Sequence, residues 1–188
     1  MTLYIDCCPR TESRTRKLAS VLLGKPGDYE ELRLYDLGLK PLDEDRLNRR
    51  NELLLKKNTD ADEFALARQF ASADRIVIAA PFWDLSFPAA LKLYIENIYI
   101  TGIVSAYDSN GMPKGLCLAR ELYYVTTSGG PYDGRYSFEY FKTLCRDYFG
   151  IPEIKLLKAE MLDIAGNDPD AILREAIRQG ELLVSANR

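Results

Sequence analysis

The run Ile76-Val77-Ile78-Ala79-Ala80 constrains this chain more than any other stretch. It does not alternate, so a strand built from it is apolar on both faces, and the sheet holding it must be covered on both sides. Four further segments read as strands: Leu3-Tyr4-Ile5, then residues 29–34, 121–127 and 154–161. Helical patterns fall between them at residues 17–23, 46–70, 89–99 and 138–149, and a closing helix is expected at 168–187. Strand and helix therefore alternate five times. That predicts an α/β fold, a five-stranded parallel sheet with helices on both faces and strand order 2-1-3-4-5. At 188 residues the chain is read as a single domain, 1–188, long enough to bury about 70% of its unfolded surface.

Local signals refine this outline. The pattern at 46–70 is interrupted near Asn58-Thr59-Asp60. Asp60 with Glu63 reads as a capping box for a second segment, with Phe64, Ala67, Phe70 and Ala71 on one face. Pro88 is expected at the first position of the helix that follows it. That helix is apolar almost all round (Leu91, Leu93, Tyr94, Ile95, Ile98, Tyr99), which calls for cover from the sheet and from a partner subunit. Residues 102–114 form an excursion with a turn at Asp108-Ser109-Asn110-Gly111, and Gly150 stops the helix before it.

Composition removes whole classes of function. The net charge is -3 and the basic residues are scattered, so no nucleic-acid partner is expected. With 47% hydrophobic and 28% charged residues, no membrane-length apolar run and no leader sequence, a cytoplasmic protein is expected. The cysteines Cys7, Cys8, Cys117 and Cys145 lack C-x-x-C spacing, so neither a disulfide framework nor a thiolate metal site is expected. The chain contains no histidine. Ser-His-Asp and Cys-His catalysis and histidine-ligated metals are thereby excluded. Chemistry must come from a cofactor, a carboxylate or a thiolate.

In the 2-1-3-4-5 order, strands one, three and four are neighbours, and ligands of such sheets bind where the strand order reverses. Three loops leave those strand ends, at residues 7–15, 81–87 and 127–134. The first feeds a helix through Ser13 and Thr15, with Arg14 and Arg16 adding positive charge, and suits a phosphate. The second offers aromatic surface in Phe82 and Trp83. The third offers Gly129-Gly130, whose bare backbone can approach a planar ring closely.

These residues resemble the FMN-dependent NAD(P)H:quinone and azo reductases of the flavodoxin-like fold. The markers are Ser13-Arg14-Thr15, the stretch from Ala79 to Pro88 with Leu91-Lys92 beyond, Tyr107-Asp108-Ser109-Asn110-Gly111, and Thr126-Thr127-Ser128-Gly129-Gly130. The resemblance spans nearly the whole chain. It implies that Cys8, Ser13, Arg14 and Thr15 hold the FMN phosphate. Pro81, Phe82, Trp83, Asp84 and Leu85 would lie against the isoalloxazine, and Thr127, Ser128, Gly129 and Gly130 would close around its polar edge. Trp83 and Tyr107 would shape the substrate pocket. It further implies a homodimer, NADH or NADPH as donor, ping-pong hydride transfer through flavin N5, and a quinone or azo acceptor. The flavin carries the chemistry, so no catalytic side chain is assigned. This chain departs from the pattern where Cys8 stands for a serine, a weaker donor, and where Asp84 stands for an asparagine, which would lower the flavin potential. Val104 and Ser105 replace aromatic surface and imply a roomier pocket.

Two other readings stay open at this stage. Cys8, five residues, then Arg14 and Thr15 also form the pattern of the low-molecular-weight tyrosine phosphatases, with a thiolate nucleophile and an acid at Asp168-Pro169. A flavodoxin-type electron carrier would use the same FMN loops without an acceptor pocket. Trp83 could be a core aromatic, Tyr107 a surface residue, and the charge run 43–50 a solvated face.

Overall fold

The structure, a computed structural model, describes residues 1–185; Ala186 and Asn187, where the expected closing helix ends, lie outside that range. The elements run β1 (Thr2–Asp6), α1 (Arg14–Ala19), β2 (Tyr29–Arg33), α2 (Glu44–Leu55), α3 (Ala65–Ser72), β3 (Arg75–Ala79) and α4 (Ala89–Ile98). Then come β4 (Ser105–Tyr107), β5 (Pro113–Gly115), β6 (Glu121–Thr127), α5 (Phe138–Thr143), β7 (Glu153–Ala159) and α6 (Pro169–Ser185). The main sheet is parallel with order β2-β1-β3-β6-β7, while β4 and β5 form a separate antiparallel pair. Counting only main-sheet strands, this is the expected 2-1-3-4-5.

Register explains the two cores. Leu32, Ile5, Ile78, Tyr124 and Leu156 stand side by side across the sheet. They face a layer containing Phe64 and Phe70 before β3, Leu91, Tyr94 and Ile98 of α4, and Phe141 and Phe149. One residue earlier in each strand, Tyr4, Val77 and Tyr123 face the opposite way, onto Leu18, Leu22, Leu173 and Ala176. Successive strand side chains alternate faces, so each central strand feeds both layers. Ile76, Val77, Ile78 and Ala79 have no solvent exposure, as the unbroken apolar run requires.

Several local expectations are corrected. α2 begins at Glu44, two residues before Arg46, because the Asp43 carboxylate accepts the Arg46 N–H at 2.9 Å. The capping box at Asp60 and Glu63 does not form. Glu63 instead pairs with Arg49 of α2 at 2.9 Å, and the chain enters α3 through a 3-10 turn, Asp62–Phe64, that buries Phe64. β2 stops at Arg33, and Leu34 turns inward in a 3-10 turn. β7 stops at Ala159, short of Met161, whose φ of 65° leaves the strand conformation. Pro88 precedes α4 as its N-cap. The apolar residues Leu91, Tyr94, Ile95 and Ile98 of α4 are buried within the protomer itself, and Lys92 and Glu96 pair on the outer side at 2.7 Å. The excursion at 102–114 closes on the Asp108 carboxylate, which accepts the Asn110 and Met112 amides. Its far strand lies so close to the end of the helix at 138–148 that a Cβ on Gly115 would sit 2.2 Å from the Gly150 nitrogen.

All four cysteines are free. No helix among the described residues is long and apolar enough to cross a membrane.

Candidate active site

The carboxyl ends of β1, β3 and β6 stay tied beyond the strands. Cys7 N–H donates to Ala79 O at 2.9 Å, Ala80 N–H to Val125 O at 2.9 Å, Phe82 N–H to Thr127 O at 3.0 Å and Ser128 N–H to Ala159 O at 3.0 Å. The three loops therefore leave the sheet from fixed points and surround one cavity of about 410 Å³. Nine residues expected at the site line it: Ser13, Arg14, Thr15, Pro81, Phe82, Trp83, Thr127, Ser128 and Gly129.

Its polar end is built from the start of α1. The Ser13 hydroxyl accepts the Arg16 N–H at 3.2 Å and Ser13 O accepts that of Lys17 at 3.0 Å. The Arg14 and Thr15 amides have no acceptor among the described residues, as expected in a first helical turn. No acid sits in that turn. Thr15 and Thr127 share a buried hydroxyl–hydroxyl bond of 2.7 Å that joins the first loop to the third. Arg14 reaches across the cavity to Asp163 at 2.7 Å. The other end is apolar: Phe82 packs edge-on against Tyr132, ring centroids 4.9 Å apart, and Trp83 is 42% exposed, which settles it as a wall residue rather than a core aromatic.

Four expected cofactor residues and one substrate residue lie outside this wall: Cys8, Asp84, Leu85, Gly130 and Tyr107. Cys8 is buried, its thiol directed at Ala79 O at 3.7 Å and its N–H at the Asp6 carboxylate at 2.8 Å. Burial pushes that thiol up to about 12, so it is protonated at neutral pH and does not supply the thiolate of the phosphatase reading. Arg14 is paired with Asp163, and Asp168 caps α6 through the Asp170 and Ala171 amides. The acid of that reading is thus engaged elsewhere, while Arg14 lines the cavity and can exchange its partner. Asp84 and Leu85 are the central residues of a tight turn in which Trp83 and Ser86 exchange hydrogen bonds of 3.0 and 2.7 Å. Their φ values of 49° and 64° are left-handed, as a primed hairpin turn demands and a leucine resists. Gly130 O accepts the Ser128 hydroxyl at 2.7 Å. Tyr107 stands on β4, 57% exposed, where it helps hold the Tyr99 hydroxyl protonated, an effect led by burial of Tyr99.

Sequence reasoning missed Pro9, Arg10, Glu12, Leu162 and Asp163, which complete the cavity wall. The segment after β7 reaches the site through backbone bonds: Met161 N–H to Gly130 O, Leu162 N–H to Ser128 O and Asp163 N–H to Gly129 O, at 3.1, 3.2 and 2.9 Å. A Cβ on Gly129 would lie 2.4 Å from an Asp163 carboxylate oxygen, so the Asp163 side chain would have to shift if this glycine were replaced. One expected cation is redirected. Arg16 points away from the cavity, its Nε 2.6 Å from the buried Asp6 carboxylate.

Comparison with known proteins agrees with this architecture. A family profile described as a flavodoxin-like fold matches residues 1–182. The FMN-dependent NADH:quinone oxidoreductase 2 of Clostridium acetobutylicum is 35% identical over 195 aligned residues, covering 95% of each chain. The FMN-dependent NADH:quinone oxidoreductase of Coprothermobacter proteolyticus is 30% identical over 198, covering 96% of each. Among solved structures, an azoreductase from Bacillus anthracis str. Sterne superposes with a TM-score of 0.84 at 20% identity over 98% of both chains. An FMN-dependent NADH-azoreductase from Bacillus anthracis str. Ames Ancestor, solved with FMN, gives 0.81 at 24% identity over 98% of this chain and 97% of that one; both likenesses concern the fold. The chain belongs to the flavodoxin-like family, among relatives named FMN-dependent NADH:quinone oxidoreductases.

Proposed function

We propose that this protein is an FMN-dependent NAD(P)H oxidoreductase that passes two electrons to a quinone or azo compound. The observation that carries the reading is the single cavity at the ends of β1, β3 and β6, hydroxyl- and arginine-lined at one end and aromatic at the other. Its volume is in the range of small-molecule sites. The donor set suits FMN: the Arg14 and Thr15 amides and the Arg14 guanidinium can hold a phosphate, and Phe82 and Trp83 can cover a planar ring. Thr127, Ser128 and the open Gly129 backbone can meet that ring's polar edge.

FMN held by Arg14 and Thr15 at its phosphate and by Phe82 and Trp83 at its ring would supply the redox chemistry, two-electron transfer from NADH or NADPH to the acceptor. The chain's own work is placement and shielding. Arg14 must exchange Asp163 for the phosphate, so binding replaces one charge-assisted bond with another. The absence of histidine fits a half-reaction that needs no protein base. Asp84 is exposed and outside the cavity wall, so solvent screening reduces the lowering of potential that its carboxylate would otherwise cause.

A homodimer and a cytoplasmic location belong to the same proposal. The burial of α4 leaves little of that helix for a partner, and the support for assembly comes instead from the exposed apolar rim beside the site: Leu85 at 56%, Tyr136 at 57% and Tyr140 at 40%. Sedimentation at micromolar concentration should give twice the chain mass, and a monomer would remove this part.

The principal test is a visible spectrum of the protein mixed with FMN and passed through a desalting column. Flavin that stays with the protein and bleaches under anaerobic NADH supports the reductase. Flavin retained but unreduced by either nicotinamide points to an electron carrier, and no retained flavin overturns the reading.

A further inference from the structure

We infer that Arg16 is the positioning residue of the cofactor-phosphate loop, drawing the Cys8, Arg10 and Thr11 carbonyls back from behind so that they do not face the cavity. The inference rests on the FMN reading of the site. The loop between β1 and α1 has little support of its own: among the described residues its only internal backbone bond is Ser13 N–H to Thr11 O at 3.2 Å. One guanidinium supplies the rest. Arg16 Nη1 donates to Arg10 O at 2.8 Å and Thr11 O at 2.6 Å, and Nη2 donates to Cys8 O at 2.9 Å. Nε donates to the Asp6 carboxylate at 2.6 Å, and that same carboxylate accepts the Cys8 N–H at 2.8 Å.

Three features assign this arrangement to positioning rather than direct binding. Arg16 lies outside the main cavity and lines a separate cleft of about 200 Å³ behind the loop, with Asp6, Arg33 and Tyr35. All three of its nitrogens are already committed to acceptors of the protein. In a trans peptide the carbonyl and the next N–H point opposite ways, so drawing in the Arg10 and Thr11 carbonyls turns the Thr11 and Glu12 amides away from Arg16. A carbonyl facing the cavity would repel a phosphate; a guanidinium that collects three of them removes that repulsion. Asp6, 1% exposed, fixes Arg16 in turn, because a buried carboxylate requires a charged partner. Lysine cannot serve in its place, having one nitrogen where this geometry uses three.

The test compares FMN with riboflavin, which lacks the phosphate, binding to flavin-free wild type, Arg16→Lys and Arg16→Ala; Asp6→Asn serves if neither Arg16 variant folds. The wild type should prefer FMN. Arg16→Lys should lose roughly 10- to 100-fold in FMN affinity, the usual scale for a residue that orients a ligating group, with riboflavin affinity unchanged. Hydrogen exchange of residues 8–13 in the flavin-free variant should speed up while the sheet stays protected. Parallel losses for both flavins, or no loss for either, would overturn the inference alone. A wild type indifferent to the phosphate would overturn the FMN reading and the inference with it.

Discussion

The two ends of the cavity are built on opposite principles. The loop after β1 is held by the Ser13 cap, the four contacts of Arg16 and the buried Thr15–Thr127 pair. The loop after β3 is closed by the Trp83–Ser86 turn and tied outward by the Ser86 hydroxyl to Tyr136 O at 2.8 Å. Its tip carries two left-handed residues and side chains in solvent. In the proposed reaction the first end meets one unchanging group, a phosphate, and satisfied hydrogen bonds fix it in advance. The second end meets a ring and then, in turn, a donor and an acceptor. An apolar surface on a strained turn can serve several flat partners, at the cost of fixing none of them closely.

The comparison breaks first at Arg14. If Arg14 holds the phosphate as proposed, Arg14→Ala removes that charge-assisted bond and leaves Asp163 facing the phosphate. FMN affinity should fall by about 2 kcal/mol, about 30-fold, with riboflavin little affected; equal losses by titration would mean this end is not the phosphate end. Thr15→Val leaves the Thr127 hydroxyl buried without its partner, and chemical denaturation should register about 1.5 kcal/mol of lost stability. At the ring end, Trp83→Ala should weaken both flavins alike by about 1 kcal/mol and raise the KM for acceptors, measured by steady-state kinetics. Leu85→Gly should stabilise the protein by about 0.5 kcal/mol, because relief of a left-handed leucine exceeds the entropy cost of glycine; a lower melting temperature would mean the leucine makes contacts that outweigh its strain.

The smallest effect is expected from the thiols at neutral pH. Burial raises Cys8 and Cys117 from 9.0 to about 12. A thiol whose folded value is raised favours the fold fully below the unfolded value. That contribution is lost as pH rises from 9 towards 12. Denaturation curves should therefore show no cysteine-dependent change between pH 6 and 8 and a decline above 9.

The order of the main sheet was legible because the β3 run permits only a strand covered on both faces, and each neighbouring loop carried its own residue signature. The positions that escaped are those set by partners distant in sequence. Asp163 belongs to the site because its N–H bonds to Gly129 O, a backbone event that no side chain announces. The Asp60–Glu63 box was lost because Glu63 found Arg49 on the preceding helix. The charge of Arg16 was legible but its direction was not, since that depends on Asp6 being buried ten residues earlier. Cys8 and Asp84 occupy the expected loops, yet the end of the strand buries one and the tight turn carries the other into solvent.

The most direct measurement separates the two half-reactions. Flavin-loaded protein, freed of excess FMN, is mixed anaerobically with NADH, cleared of nicotinamide, and then given one equivalent of a quinone. The account predicts complete bleaching of the flavin bands in the first step and their complete return in the second. Bleaching that requires the quinone to be present, or a reduced protein that the quinone does not reoxidise, would contradict it.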